Sequence, residues 1–253
     1  MISKNQFKYI RQLEQKKYRR REGLFVAEGT KVVGDLMQRY QPRSLFATTE
    51  YIAAHPLLSQ NDHEVVIVTD DELQRLSFQQ HPQQVLALFP IPEALSSDIN
   101  QGALSLALDG VQDPGNLGTI IRIADWFGIE TIYCSEDTVD AWNPKVIQAT
   151  MGSISRVNII YLNLTEMLDT LPSDFPVYGT LLDGDDIYQQ SLSKNGLIIM
   201  GNEGNGISEG VRSRITNRLL IPSFRRGDTA ESLNVAIATA ITCSEFRRRN
   251  YSL

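Results

Sequence analysis

Short apolar runs separated by stretches of helical periodicity set the rhythm of this chain. In the first ninety residues, Leu24-Phe25-Val26-Ala27 precedes a helix expected over 28–40, and Ser44-Leu45-Phe46-Ala47 follows. Val65-Val66-Ile67-Val68 leads through Thr69-Asp70-Asp71-Glu72 into a short helix with acids in its first turn, where the helix dipole favours them. Val85-Leu86-Ala87-Leu88 closes the set. The pattern predicts a small α/β unit of four strands.

Between Pro90 and Gly102 the composition turns to Pro92, Ser96, Ser97, Asp98 and Asn100, which reads as a linker over 91–102. The expected division is therefore 1–90, linker, and 103–253. In the last part, strands are expected at 104–108, 131–134, 157–161, 177–181, 197–200 and 219–221. Helices are expected at 119–127 and 165–171, with a long terminal helix over 234–249. Apolar strands spaced by helices imply a parallel sheet buried on both faces.

Composition narrows the class. Hydrophobic residues make up 42% and charged residues 21% of the 253, enough to bury a real core and too apolar for a disordered chain. No apolar run reaches the length of a membrane span, and the N-terminus shows no apolar leader, so a soluble cytoplasmic protein without membrane partners is expected. Cys134 and Cys243 make no disulfide framework. His55, His63 and His81 lie apart from either cysteine, so no metal site is expected, nor a histidine-based triad in the second half.

Charge is unevenly spread. The net charge is −6, yet residues 1–21 hold eight cations against Glu14 alone, which leaves −13 on the remaining chain. Lys16, Lys17, Arg19, Arg20 and Arg21 form the densest part, and Arg247-Arg248-Arg249 makes a second knot. Segregated cations on an acidic body point to a polyanion, with a solvated helix face as the plain alternative.

In doubly wound sheets, ligands bind beyond the carboxyl ends of strands, so the strand-to-helix turns carry the chemistry. Three turns are rich in Gly, Asn and short polar residues. The first runs from Asp109 through Pro114-Gly115-Asn116, with Asn116 a candidate N-cap for the helix that carries Arg122. The second is Gly201-Asn202-Glu203-Gly204-Asn205-Gly206, where glycines let backbone amides approach a ligand. It lacks the spacing of a dinucleotide fingerprint, and the chain has no P-loop. The third runs from Ile221-Pro222 through Phe224-Arg225-Arg226 to Ser232-Leu233-Asn234. A capping Asn, a solvent Arg and a loop carboxylate are the plain alternatives for these residues. The Trp126-Phe127 pair reads as core.

Together the three turns resemble the motifs of the SpoU-type (TrmH) RNA ribose 2′-O-methyltransferases of the SPOUT superfamily. The first is similar to N-x-G-x-x-x-R at Asn116–Arg122, the second to G-x-E-G-x-G-[IM] at Gly201–Ile207, and the third to I-P…S-L-N-V at 221–235. Gly23-Leu24-Phe25-Val26-Ala27-Glu28-Gly29 resembles the family's ribosomal-protein-like substrate-binding domain. The loop between Ile221-Pro222 and Ser232 is longer here than in many members.

The resemblance implies a C-terminal α/β knot, a deep trefoil around a parallel sheet, with a smaller N-terminal α/β domain that binds RNA. It also implies S-adenosyl-L-methionine as cofactor and a homodimer. The expected catalytic residues are Asn116, Arg122, Glu203, Ser232 and Asn234, and the expected cofactor contacts are Thr180, Gly201, Ile221 and Leu233. RNA phosphates are expected at Lys16, Lys17, Arg19, Arg20, Arg21, Arg225 and Arg226. Ribosomal RNA is preferred over transfer RNA as substrate. The rival readings are a tRNA methyltransferase, a non-catalytic RNA-binding protein, and, less well supported, a nucleotide-dependent oxidoreductase. In the family Arg122 is given the task of activating the ribose hydroxyl. Because a guanidinium keeps its proton, binding the adjacent phosphate and stabilising the developing alkoxide suits it better.

Overall fold

The computed structural model describes residues 2–56, 64–93, 96, 98–225, 227 and 231–250. His63 and Arg226 lie outside them. The chain forms two compact units, one of residues 1–93 with 140–155, the other of residues 94–139 with 156–253.

The first unit opens with two short helices, α1 (Lys4–Gln12) and α2 (Lys16–Glu22). Ser3 and Gln6 form a reciprocal capping box at the start of α1. Then come β1 (Leu24–Glu28), α3 (Thr30–Met37), β2 (Ser44–Ala47), α4 (Thr49–Ala54), β3 (Glu64–Ile67), α5 (Asp70–Leu76) and β4 (Val85–Pro90). The four strands lie in the order β1-β4-β2-β3, with β2 and β3 parallel and the other pairs antiparallel. The helix expected over 28–40 is shorter, because Glu28 completes the strand and Gly29 turns at φ +91°, a backbone setting few other residues accept.

The second unit follows as β5 (Leu104–Asp109), α6 (Pro114–Trp126) and β6 (Thr131–Cys134). An excursion with α7 (Pro144–Thr150) intervenes before β7 (Asn158–Tyr161), α8 (Leu164–Asp169), β8 (Val177–Asp186), β9 (Gly196–Gly201), α9 (Glu209–Arg212), β10 (Asn217–Leu220) and α10 (Val235–Asn250). Six parallel strands in the order β10-β8-β9-β5-β6-β7 build the sheet. Its central strands are the continuous apolar runs, and Leu106, Leu108, Leu197, Ile198 and Ile199 are inaccessible to solvent. On its long helix, α10 buries Val235, Ala236, Thr239, Cys243 and Phe246, the last meeting Tyr178 edge-on at 4.8 Å.

One strand departs from the regular ladder. Arg218 pairs with Gly179, but the next residue, Leu219, pairs with Asp185. The intervening residues of β8 bulge out of the ladder, and Gly184 lies so close to the backbone of Leu219 that a Cβ would sit 2.6 Å from its carbonyl carbon.

Residues 140–155 belong with the first unit, so the division of the chain is not the single cut expected at 91–102. Trp142 packs on Phe25 with ring centroids 4.8 Å apart, and Asp140 pairs with Arg19 of α2. These two anchors hold the excursion where its own sequence carries no strong apolar run.

Candidate functional site

The three polar turns meet beyond the carboxyl ends of β5, β9 and β10. At the end of β5, Asp109 accepts a hydrogen bond from the Ser208 amide at 2.6 Å. Asn202 stitches its own turn, donating to the Gly110 carbonyl at 2.6 Å and accepting from the amides of Gly204 and Asn205, each at 2.9 Å. Gly201 is required by close approach, since a Cβ there would lie 2.4 Å from the carbonyl carbon of Gly206.

On this frame a chain of side chains links all three turns. Asn116 donates through Nδ2 to Glu203 Oε1 at 2.8 Å, and Asn116 Oδ1 accepts from Asn234 Nδ2 at 2.9 Å. The Gln112 amide approaches the other oxygen of Glu203 at 3.4 Å. Asn234 Oδ1 in turn accepts from the amides of Ala236 and Ile237, so it caps α10 while its amide nitrogen faces the site. Each partner fixes which way the next amide points.

Asn116 is not the N-cap expected. Asp113 caps α6, with Pro114 at the first helical position, and the Asn116 amide donates to Asp113 Oδ1 at 2.8 Å. That releases the Asn116 side chain from capping and makes it available to Glu203 and Asn234.

Beside this chain lies a cavity of about 730 Å³. All four expected cofactor contacts, Thr180, Gly201, Ile221 and Leu233, line it, as do Glu203 and Ser232. Its walls include Leu181, Met200, Ile207 and Leu219, and the bulge of β8 supplies residues 180–183. An apolar slot bounded by strand-end backbone suits a flat purine base, whose edge takes backbone donors and acceptors. The donor set therefore fits an adenosine-bearing cofactor.

The remaining expected residues are placed unevenly. Arg122 is exposed on α6 and makes no hydrogen bond or ion pair with any described residue. Ser232 lines the cavity without joining the Asn116–Glu203–Asn234 chain. Arg225 and Phe224 are exposed, Phe224 at 85%. Arg226 falls outside the described residues.

In the first unit, Lys17, Arg20 and Arg21 are exposed and Lys16 is half-buried. Tyr18 lies under both Lys17, at 4.8 Å, and Arg21, at 4.9 Å. Arg19 corrects the expectation. It is 1% exposed, and its guanidinium serves Asp140 and the carbonyls of Leu13 and Glu14, leaving nothing for a phosphate.

The arginine run 247–249 is likewise engaged within the fold. Arg247 donates to the carbonyls of Phe127 and Gly128 at 2.7 and 2.8 Å. Arg248 and Arg249 both pair with the nearly buried Glu245, whose carboxyl is held below the usual carboxylate range chiefly by the Arg248 hydrogen bond. Trp126 is a further correction, since it stands 84% exposed at the end of α6.

Sequence reading missed Asp109 and Asn202 as turn-builders, although both sit directly at the ends of apolar strands. It also missed Asp183 and Arg212, which line the cavity and pair with each other. Among the described residues, no group of three or more His, Cys, Asp or Glu side chains is placed to hold a metal ion. No helix among them is long and apolar enough to cross a membrane.

The second unit is thus a parallel α/β sheet with a strand-end cavity and a Glu–Asn–Asn chain beside it. Residues 103–244 match the SpoU rRNA Methylase family, and residues 4–87 match the MRM3-like substrate binding domain. The chain belongs to the SpoU rRNA methylase family.

It is 31% identical to the 23S rRNA (guanosine(2553)-2′-O)-methyltransferase RlmP of Bacillus subtilis, over 97% of each chain. A TrmH-family protein from Porphyromonas gingivalis superposes with a TM-score of 0.89 at 43% identity, over 98% of this chain and 99% of that one. An AdoMet-bound rRNA methyltransferase from Sinorhizobium meliloti superposes with a TM-score of 0.88 at 31% identity, over all of this chain and 98% of that one.

Proposed function

We propose that this protein is an S-adenosylmethionine-dependent methyltransferase that modifies a ribose 2′-hydroxyl of ribosomal RNA. The observation that carries the reading is the Glu203–Asn116–Asn234 chain set beside a cavity lined by Thr180, Gly201, Ile221 and Leu233. The cofactor, when bound, supplies an electrophilic methyl group whose departure leaves a neutral thioether, so the protein needs no general acid.

What the protein must supply is position and charge. Asn116, held by Glu203 on one side and Asn234 on the other, presents a fixed amide toward the ribose. Arg122 binds the phosphate next to the target nucleotide and stabilises negative charge developing on the 2′-oxygen as the hydroxyl proton passes to solvent water. Its unpaired, exposed guanidinium supports that role, and a bidentate fork suits phosphate. Ser232, at the cavity wall, and the exposed Arg225 complete the RNA-facing residues.

The first unit holds the RNA through Lys16, Lys17, Arg20 and Arg21. The match to a substrate binding domain over 4–87 supports that assignment. Two relatives, RlmP and the RlmB of Neisseria meningitidis, are named 23S rRNA guanosine-2′-O-methyltransferases, so a guanosine of large-subunit RNA is the target we favour. A knotted second unit, a homodimer and a cytoplasmic location complete the reading. Exposed apolar side chains on the two helices, Trp126 of α6 and Ile237 of α10, support contact with a second copy.

Methyl transfer from labelled S-adenosylmethionine to unmodified 23S rRNA and to tRNA, assayed separately, tests the proposal. A 2′-O-methylguanosine identified by mass spectrometry in the 23S digest alone is expected. Label in tRNA alone would replace the substrate. Label in neither RNA nor in ribosomal particles would leave a non-catalytic RNA-binding protein.

A further inference from the structure

A fourth turn, the one that follows β6, is bonded to the first of the three polar turns. It runs Ser135-Glu136-Asp137-Thr138 and is closed by the Thr138 amide, which donates to the Ser135 carbonyl at 3.1 Å. The closure brings the two hydroxyls within 2.9 Å of each other, with Ser135 8% and Thr138 1% exposed.

The hydrogens of these hydroxyls can be assigned one by one. The Gly110 amide donates to Ser135 Oγ at 2.8 Å, and Thr138 Oγ1 donates to the Leu108 carbonyl at 3.1 Å. Thr138 has a single hydroxyl hydrogen, so the Ser135 hydroxyl is the donor to Thr138 Oγ1. A directed chain therefore runs from the Gly110 N–H to the Leu108 carbonyl, the two backbone groups that flank Asp109. Val139 continues the seam, its amide donating to the Val111 carbonyl at 2.9 Å.

What the seam holds is the start of the site. Gly110 sits at φ +74°, in the left-handed region, and its carbonyl is the acceptor for Asn202. Asp109 holds the Ser208 amide, and two residues after Gly110 the Gln112 amide approaches Glu203. Buried hydroxyls are costly unless bonded, and among the described residues these two bond only to each other, Leu108 and Gly110.

We propose that Ser135 and Thr138 are positioning residues for methyl transfer. Through Gly110 they set the path of the chain from β5 to Asn116, and so the direction in which the Asn116 amide faces the ribose. This role rests on the function proposed above.

Thr138→Val keeps the shape of the side chain and removes its hydroxyl, whereas Thr138→Ser keeps the hydroxyl. The Leu108 carbonyl also accepts from the Ser135 amide at 3.0 Å, so Thr138→Val does not orphan it. Steady-state methyl transfer from S-adenosylmethionine to the RNA that the wild type modifies is measured well below the melting temperatures. Thr138→Val and Ser135→Ala are each expected to lower kcat about tenfold, the scale of one buried hydrogen bond left unmade, with KM for S-adenosylmethionine unchanged. Thr138→Ser is expected to keep the wild-type kcat.

A wild-type kcat in both Thr138→Val and Ser135→Ala would overturn the role. So would equal losses in Thr138→Val and Thr138→Ser, or losses that simply follow the melting temperatures, since the hydroxyls would then act on stability alone. A wild-type protein that methylates no RNA would overturn this role together with the function it rests on.

Discussion

The runs 16–21 and 247–249 are alike in composition and differ in what their cations meet. In the C-terminal run, Arg247, Arg248 and Arg249 are each answered from within the second unit, by the carbonyls of Phe127 and Gly128 and by Glu245. In the first run Arg19 is enclosed and Arg21 pairs with the neighbouring Glu22 at 2.7 Å, while Lys17 and Arg20 remain at the surface. Density of positive charge therefore does not locate a polyanion site. What decides is whether carbonyls and carboxylates come within reach once the chain has folded, because a buried guanidinium is tolerated only with full partners. By that criterion Arg122, exposed and unpaired, belongs with Lys17 and Arg20 although it sits on a helix of the second unit.

The strongest test of this division is at Arg122 itself. Arg122→Ala is expected to lower methyl transfer about 10²–10³-fold, the scale of losing one oxyanion donor, with S-adenosylhomocysteine affinity and melting temperature unchanged. A melting temperature that fell along with activity would move Arg122 into the class of Arg19.

Arg19→Ala should cost about 3 kcal/mol of stability, since it strands Asp140 and two carbonyls, and chemical denaturation reads that directly. An unshifted midpoint would break the contrast from the other side. Lys17→Ala and Arg20→Ala should each reduce the salt dependence of RNA binding by about one in log–log slope at unchanged stability. Arg247→Ala should leave that slope alone, and an equal loss from both runs would erase the distinction.

The smallest effects concern two carboxyl groups shifted in opposite directions. Glu245 is held low, first by the Arg248 hydrogen bond, so its stabilising contribution is present above the ordinary carboxylate range and is lost as pH falls through its lowered value. Glu28 is pushed up by burial, against the hydrogen bonds from Ser77 and the Phe78 amide. Its contribution is full below the ordinary carboxylate value and is lost as pH rises through the raised one. Glu245→Gln and Glu28→Gln should therefore flatten opposite limbs of the stability–pH profile, measured as melting temperature across the acid range.

The strands of the second unit were legible because parallel strands covered on both faces read as unbroken apolar runs. Thr131–Cys134 begins and ends where expected, and β5 and β9 differ from expectation only by their terminal residues. The meeting of the three turns was legible only through the likeness of their motifs, since no local pattern says that Asn116, Glu203 and Asn234 converge.

The excursion at 140–155 escaped notice for the opposite reason. Its anchors, Asp140 and Trp142, gain meaning only beside Arg19 and Phe25, more than a hundred residues earlier. The cap of α6 was within reach, because a Pro at the first helical position marks the preceding Asp113. The bulge of β8 was not, because nothing in Leu181-Leu182-Asp183-Gly184 shows that five positions of the strand will be skipped by its partner.

Asn234 has a consequence for how the site can change. It closes the loop from β10 with one side chain that caps α10 and grips Asn116 at once. Whatever length the chain takes between Ile221 and Ser232, register is restored at that asparagine. Phe224 and Arg225, both exposed, take no part in the three hydrogen bonds of that side chain. Variation in the surface offered to RNA is thereby uncoupled from the chemistry, and one amide acts as the joint between the two.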